Sequence, residues 1–269
     1  MYDRAMTVPS NIALIGKGAI GRFVFDALDR LGLAPSVLIL REGSAAPADL
    51  RRVPTVFSAR DVPSDVSLAL DCAGHAALRE HGPALLERGI DVATLSIGAL
   101  ADPKVEQALT QAAQRGQSQL HLASGAIGAL DSLRAAAIGG LDQVTYIGRK
   151  PPLGWKGSPA EDVLNLKTLR EPAEHFSGSA REAALAYPKN ANVAAAVALA
   201  GVGFDQTQVR LIADPAASGN LHEIKADGAF GRLSFAIEGL SLPDNPRSSA
   251  LAAMSMVATV QRSRKSISL

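Results

Sequence analysis

At 269 residues and 47% hydrophobic content, the chain is long and apolar enough for one large or two smaller packed domains, which excludes disorder as the default. Its 27 Lys and Arg against 26 Asp and Glu leave a net charge of +1, which argues against a dedicated nucleic-acid binder. Met1 to Thr7 lacks the apolar core of a signal peptide, no apolar run can span a bilayer, and the lone Cys72 has no disulfide partner, so a cytoplasmic, membrane-free protein is expected.

Asn11 to Ile15 is an apolar run that breaks into Gly16-Lys17-Gly18-Ala19-Ile20-Gly21 and continues as a helical pattern to Leu31. In strand–turn–helix context this G-x-G-x-x-G points to a dinucleotide. Gly16 permits the tight turn, Gly18 lets a pyrophosphate approach the backbone, and Gly21 lets helix and strand pack closely. Ala19 and Ile20 open the helix, whose free N–H groups and positive dipole end face the phosphates. A glycine-rich turn without a ligand is the alternative.

Ser36–Leu40 reads as a buried parallel strand and Thr55–Ser58 as a weaker one. Val66–Ala73 is a further strand, His75–Glu87 a helix, and Ile90–Leu95 a strand. Asp102-Pro103 opens a helix that runs to Gly116, and Gln119–Ala123 is a strand. This rhythm predicts an α/β fold with a Rossmann-type doubly wound parallel sheet over residues 1–123.

Ligands in such sheets lie beyond the carboxyl ends of the strands. After the second strand, Arg41 suits the 2′-phosphate of NADP and Glu42 the ribose diol of NAD, which leaves NAD or NADP open. Cys72-Ala73-Gly74 would let a dinucleotide pass closely, and Ser96 begins a further strand-end loop. Each of these segments also reads as a plain strand-to-helix turn.

From Ser124 the pattern changes. Ala129–Ile138 looks helical, Gln143–Gly148 looks extended, and Pro151–Pro159 is a Pro- and Gly-rich loop. Gln208–Ala213, Gly219–Ala226 and Gly231–Glu238 alternate as strands, with Asp227-Gly228 as a hairpin signal. A second α/β domain with a mixed or antiparallel sheet is expected over 124–242. A C-terminal helix over 243–269 is then expected to pack back on the Rossmann domain, with Asn245 as cap, Pro246 first, and Leu251, Met254, Val257 and Val260 as its stripe.

Of five histidines, His222 is the strongest catalytic candidate. Period-two alternation puts it on one face with Ile224 and Ala226, beside apolar groups on a rigid strand. A general acid or base needs that placement and a pKa near neutrality. His81 reads as exposed, His121 as lying inside a central strand, and His175 as lying in a loop, while His75 falls near the cofactor side. Asn192, ahead of an apolar helix, is either its N-cap or an amide facing nicotinamide or substrate. No metal cluster of plausible spacing and no G-x-S-x-G elbow is present.

These pieces together resemble the L-aspartate dehydrogenase family. The resemblance rests on Gly16–Gly21, Asp71-Cys72-Ala73-Gly74-His75, Leu95–Leu100, Ser124-Gly125-Ala126-Ile127-Gly128, Arg149-Lys150-Pro151-Pro152, Lys189–Ala195 and Asn220-Leu221-His222-Glu223-Ile224, in order along almost the whole chain. It implies NAD- or NADP-dependent oxidation of L-aspartate to iminoaspartate, which yields oxaloacetate and ammonia or feeds NAD biosynthesis. It also implies a homodimer. The family's catalytic histidine falls on His222, and its nicotinamide-nucleotide contacts fall on Ala126 and Asn192. The substrate carboxylates need cationic or N–H partners. Lys150 and Lys189, with Ser96, are assigned there, beside Arg149 and Lys225 as further cationic candidates. Arg41 departs from a strictly NAD-linked member, which favours an acid, and Lys17 is an unusual choice in the glycine loop. A dihydrodipicolinate-reductase-like oxidoreductase is the alternative enzyme, but it expects paired histidines and a lysine on the strand after the switch. A non-catalytic dinucleotide sensor would keep the glycine loop without needing His222.

Overall fold

The computed structural model describes residues 11–188, 190–243 and 245–264. They divide into two compact units. The first takes the described residues up to Ser96, Pro103–Ala123 and those from Ala252 onward; the second takes Ile97–Asp102 and Ser124–Leu251.

In the first unit, β1 (Ile12–Ile15), α1 (Ala19–Arg30), β2 (Val37–Ile39), β3 (Thr55–Val56), β4 (Leu68–Asp71), α2 (His75–Glu87), β5 (Asp91–Thr94), α3 (Pro103–Gly116) and β6 (Leu120–Leu122) follow one another. All six strands are parallel, in the order β3-β2-β1-β4-β5-β6. That is the Rossmann order, in which the switch point lies between β1 and β4. β1, β2 and β4 are buried along their whole length, as continuous apolar strands covered on both faces must be. α1 turns Gly21, Val24, Phe25 and Leu28 inward at helical spacing.

The second unit contains α4 (Leu130–Gly139), β7 (Leu141–Lys150), α5 (Ala160–Val163), β8 (Ala173–Ser179), α6 (Ala180–Ala186), α7 (Asn192–Ala200), β9 (Gln208–Ala213), β10 (Asn220–Gly228), β11 (Gly231–Gly239), β12 (Ser241–Leu242) and β13 (Asn245–Ser249). Five of its strands form a mixed sheet, β11-β10-β7-β9-β8, in which only β7 and β9 run parallel. α7 is apolar on nearly every side and packs on β7, α4 and α6, so it is a buried helix. The hairpin between β10 and β11 pairs Gly228 with Gly231, so its two-residue loop is Ala229-Phe230, after rather than at the Asp-Gly signal.

Three expectations are corrected. Asn245 does not cap a helix: Asn245–Ser249 is β13, paired with β12, and α8 (Ala250–Arg262) starts only at Ala250. Its inward residues include Ala253, Met256, Val257 and Val260, whereas Met254 is exposed. Met256, Val257 and Val260 join the core of the first unit beside Leu14, Leu28 and Leu70. β8 replaces the loop expected around His175; a register break between Glu174 and Phe176 disturbs the alternation by which a strand is read. α6 was also not expected, although Ser179-Ala180-Arg181-Glu182 spells its capping box: Ser179 Oγ accepts from Glu182 N and Glu182 Oε2 accepts from Ser179 N.

Candidate active site

The glycine loop fits a dinucleotide by three local facts. Gly16 has φ of +100°, and a Cβ there would lie 2.9 Å from Cβ of Ala73, so the crossing of the two strand ends needs both residues small. A Cβ on Gly21 would lie 2.8 Å from the Gly16 carbonyl oxygen, so α1 packs on the turn at a distance only glycine allows. A Cβ on Gly18 would meet nothing within 4 Å, which leaves that face of the loop open. Gly18 is the N-cap of α1 and makes no side-chain capping bond, so the helix start at Ala19 and Ile20 carries the field and N–H groups that an anion needs. Lys17 Nζ donates to the Ala45 carbonyl at 2.7 Å, which ties the glycine loop to the segment after β2. Arg41 and Glu42, on that segment, are both exposed.

The ends of β4 and β5 are joined by a buried carboxylate. Asp71 is fully buried and accepts from Thr94 Oγ1 at 2.7 Å, Ser96 Oγ at 2.6 Å and Ala73 N at 3.0 Å. Burial pushes the Asp71 carboxyl up, against hydrogen bonds that pull it down. The Ser96 hydroxyl hydrogen is thereby committed to Asp71, and its backbone N–H to Thr94 Oγ1. Cys72 is half-buried, and burial with the Asp71 charge raises its thiol pKa well above the usual range.

In the second unit, β7 and β10 turn one face inward. Val144, Tyr146, Gly148 and Lys150 lie on it from β7, and His222, Ile224 and Ala226 from β10. His222 is 3% exposed. Its Nδ1 lies 2.7 Å from the Tyr146 hydroxyl, and the rings are stacked with centroids 6.0 Å apart. Burial, and then the charge of Lys150, lower the His222 pKa to about 3, so the expected near-neutral value is not met: this imidazole is neutral at working pH. Lys150 is 9% exposed and is held by Asn190 Oδ1 at 2.9 Å and by the Trp155 ring, 5.0 Å from its Nζ. Desolvation lowers its pKa to about 8. No carboxylate among the described residues pairs with it.

Lys150 also lines a cleft of about 570 Å³ together with Lys156, Ser158, Tyr187, Asn190 and Asn220. Sequence reasoning missed Lys156, Asn190 and Asn220. Asn220 was within reach of it, since it stands two residues before His222 on the same strand face. Tyr146 was not, because only the pairing of β10 with β7 brings it to His222.

Of the other cationic candidates, Arg149 is paired with Asp214 at 2.8 Å and Lys225 with Glu223 at 3.0 Å. Lys189 lies outside the described residues. Asn192 is not the N-cap of α7; Ala191 is, and Asn192 Oδ1 accepts from Gly98 N at 2.9 Å, which fixes the Ile97–Ala101 turn on the helix start. Ala126 is buried in the turn before α4. Three histidine readings are corrected. His81 is 5% exposed rather than solvated, His121 is on the edge strand β6, and His175 is buried with Nδ1 at 3.1 Å from the Tyr187 hydroxyl.

A Rossmann sheet with an open glycine loop, and a mixed sheet carrying a buried imidazole and an unneutralised ammonium on one face, define a two-unit nicotinamide-dinucleotide oxidoreductase. The L-aspartate dehydrogenase of Ruegeria pomeroyi is 54% identical over 253 residues, which cover 93% of this chain and 91% of that protein. The chain belongs to the L-aspartate dehydrogenase family. The enzyme of the same name from Pseudomonas aeruginosa is 44% identical over 96% of this chain and 99% of its own length. Residues 131–263 match the family model "Aspartate dehydrogenase, C-terminal", and residues 16–123 match "Homoserine dehydrogenase, NAD binding domain". The crystal structure of aspartate dehydrogenase from Thermotoga maritima superposes with a TM-score of 0.75 at 27% identity, covering 96% of this chain and 98% of that one. No helix among the described residues is long and apolar enough to cross a membrane.

Proposed function

We propose that the chain catalyses NAD- or NADP-dependent oxidative deamination of L-aspartate, giving iminoaspartate and then oxaloacetate and ammonia, in a reversible reaction. The observation that carries this reading is the buried Lys150 ammonium, which has no carboxylate partner among the described residues and shares a sheet face with the neutral His222. A buried cation without a counter-charge is costly and calls for an anion from outside. A substrate carboxylate supplies it, with the Asn190 and Asn220 amides and Lys156 lining the same cleft.

Bound NAD(P) supplies the hydride acceptor for the aspartate Cα–H, and its pyrophosphate is assigned to Gly16, Gly18, Ala19, Ile20 and Gly21. Cys72, Ala73 and Gly74 offer small residues along its path, and Ala126 and Asn192 are assigned to its nicotinamide end. Ser96 serves by holding the loop after β5 through Asp71. His222 Nε2 takes the proton of the water that adds to the imine carbon and returns it as ammonia leaves. A carboxylate on Lys150 offsets the positive charge that depresses His222, so substrate binding itself raises the basicity of the imidazole. We assign the protein to the cytoplasm as a homodimer, with no nucleic-acid or membrane partner.

The test is reduced-nicotinamide absorbance with L-aspartate and either dinucleotide at alkaline pH. The same assay on His222→Ala should show turnover lower by about a hundredfold or more, with dinucleotide affinity within about twofold of the parent. Near-normal turnover in that variant removes His222 from the chemistry; no signal from the parent with either cofactor overturns the activity.

A further inference from the structure

We infer that Tyr146 is the positioning residue of His222, engaging Nδ1 so that Nε2 is the ring atom offered to substrate, and that Gly148 is the space that makes this possible. The inference rests on the proposed role of His222 and adds to it the group that aims and tunes the ring.

His222 and Tyr146 stand on neighbouring antiparallel strands. The register pairs His222 with Gly148 and Ile224 with Tyr146, so the phenol must reach diagonally across the position of residue 148 to touch the imidazole. It does so: Oη and Nδ1 are 2.7 Å apart, and both side chains are buried. A Cβ at residue 148 would lie 2.8 Å from that Oη, 3.2 Å from Tyr146 Cζ and 3.2 Å from Leu211 Cδ2. Any side chain there would occupy the path of the hydroxyl. Gly148 has no positive φ, so the backbone does not demand glycine. The demand comes from the phenol.

The choice of partner also has a chemical consequence. A carboxylate on Nδ1 would add a negative charge and favour the imidazolium. Burial pushes the Tyr146 hydroxyl pKa up, so it stays a neutral phenol beside the ring. It can donate to a bare Nδ1 or accept from a protonated one, and in both cases Nδ1 is engaged and Nε2 is left for the substrate. The partner therefore fixes ring orientation without charging the imidazole, and the base role of Nε2 requires the tautomer in which Nδ1–H donates to the Tyr146 oxygen.

Tyr146→Phe and Gly148→Ala test this on the full-length protein, with 15N NMR of the His222 ring as the readout that a merely structural role would not move. The parent should show one tautomer, with well-separated pyrrole-type and pyridine-type nitrogens. In Tyr146→Phe those signals should converge toward tautomer averaging, and kcat should fall by about tenfold or more while KM for the dinucleotide stays within about twofold. Gly148→Ala should reproduce the NMR change with the phenol still present, because its methyl displaces the hydroxyl. Unchanged 15N shifts in both folded variants overturn the positioning role. That failure is distinct from a fully active His222→Ala, which would overturn the catalytic reading and leave the Tyr146–His222 bond standing.

Discussion

Asp71 and Ser96 are joined by a 2.6 Å hydrogen bond between a fully buried carboxylate oxygen and a hydroxyl, and this bond fixes the ends of β4 and β5 to each other. Thr94 donates to the same oxygen and the Ala73 N–H to the other. Asp71→Ala leaves these donors without an acceptor and should cost about 3 kcal/mol of unfolding free energy in urea melts. Asp71→Asn keeps an acceptor for Ala73, and the two hydroxyls can rotate to accept, so the loss should be under about half of that. The pair also differs with pH. The folded carboxyl is raised above its ordinary 3.8, so the stability of its protonated form is full below that value and is lost as pH rises through the folded pKa. The gap in stability between parent and Asp71→Asn should therefore shift in favour of the amide as pH rises above 3.8. A constant gap would count against an uncomfortable carboxylate at this position.

Gly18 and Gly21 should fail in different ways. A methyl on Gly18 enters open space, so Gly18→Ala should keep its melting temperature while dinucleotide affinity drops by about tenfold or more. A methyl on Gly21 meets the Gly16 carbonyl at 2.8 Å, so Gly21→Ala should cost about 1–3 kcal/mol of stability as well. Calorimetry and dinucleotide titration of both variants separate the two effects. Equal loss of stability in both would remove the cradle role from Gly18.

Lys150 makes substrate affinity pH-dependent with a defined sign. Its pKa is lowered to about 8, so the ammonium that attracts a carboxylate is complete below that value and is lost above it. The inhibition constant of a dicarboxylate lacking the amine, which removes the titration of the substrate's own amine, should rise about tenfold per pH unit above the pKa of Lys150. Lys150→Met should bind the inhibitor about 10–100-fold more weakly at pH 7 and should show a flat profile. A parent-like profile in that variant would move the anion site elsewhere.

Much of the first unit was legible because its signals are local. The glycine loop, the buried apolar strands and the Pro103 helix start each state their element within a few residues. In the second unit the pattern held only where alternation was regular, as at His222, Ile224 and Ala226. It failed at β8, where the break at His175 puts neighbouring residues out of phase, and at Asn245, where a proline that suits a helix start sits instead in a strand. The site divided the same way. His222 could be named from its strand and Lys150 from the Arg149-Lys150-Pro151-Pro152 motif, whereas Tyr146 and the commitment of Ser96 to Asp71 depend on contacts between strands that local pattern does not encode.

Arg41 stands exposed after β2 with Glu42 beside it. Arg41→Ala should weaken NADP by about tenfold and leave NAD within about twofold, since a guanidinium recognises the extra phosphate and has little to offer a diol. Paired titrations with the two dinucleotides read this directly. Equal weakening of both would make Arg41 a general electrostatic contact.

The Lys17–Ala45 hydrogen bond gives that experiment a wider meaning. The segment assigned to the adenosine end and the turn assigned to the pyrophosphate are braced by one side chain. The acceptor is a main-chain carbonyl, so an engineer who substitutes side chains over 41–46 keeps the brace, whereas one who shortens or lengthens the segment moves Ala45 and loosens its hold on the glycine loop. Coenzyme switches made by side-chain substitution at the existing segment length are the ones that stand to change preference without that penalty.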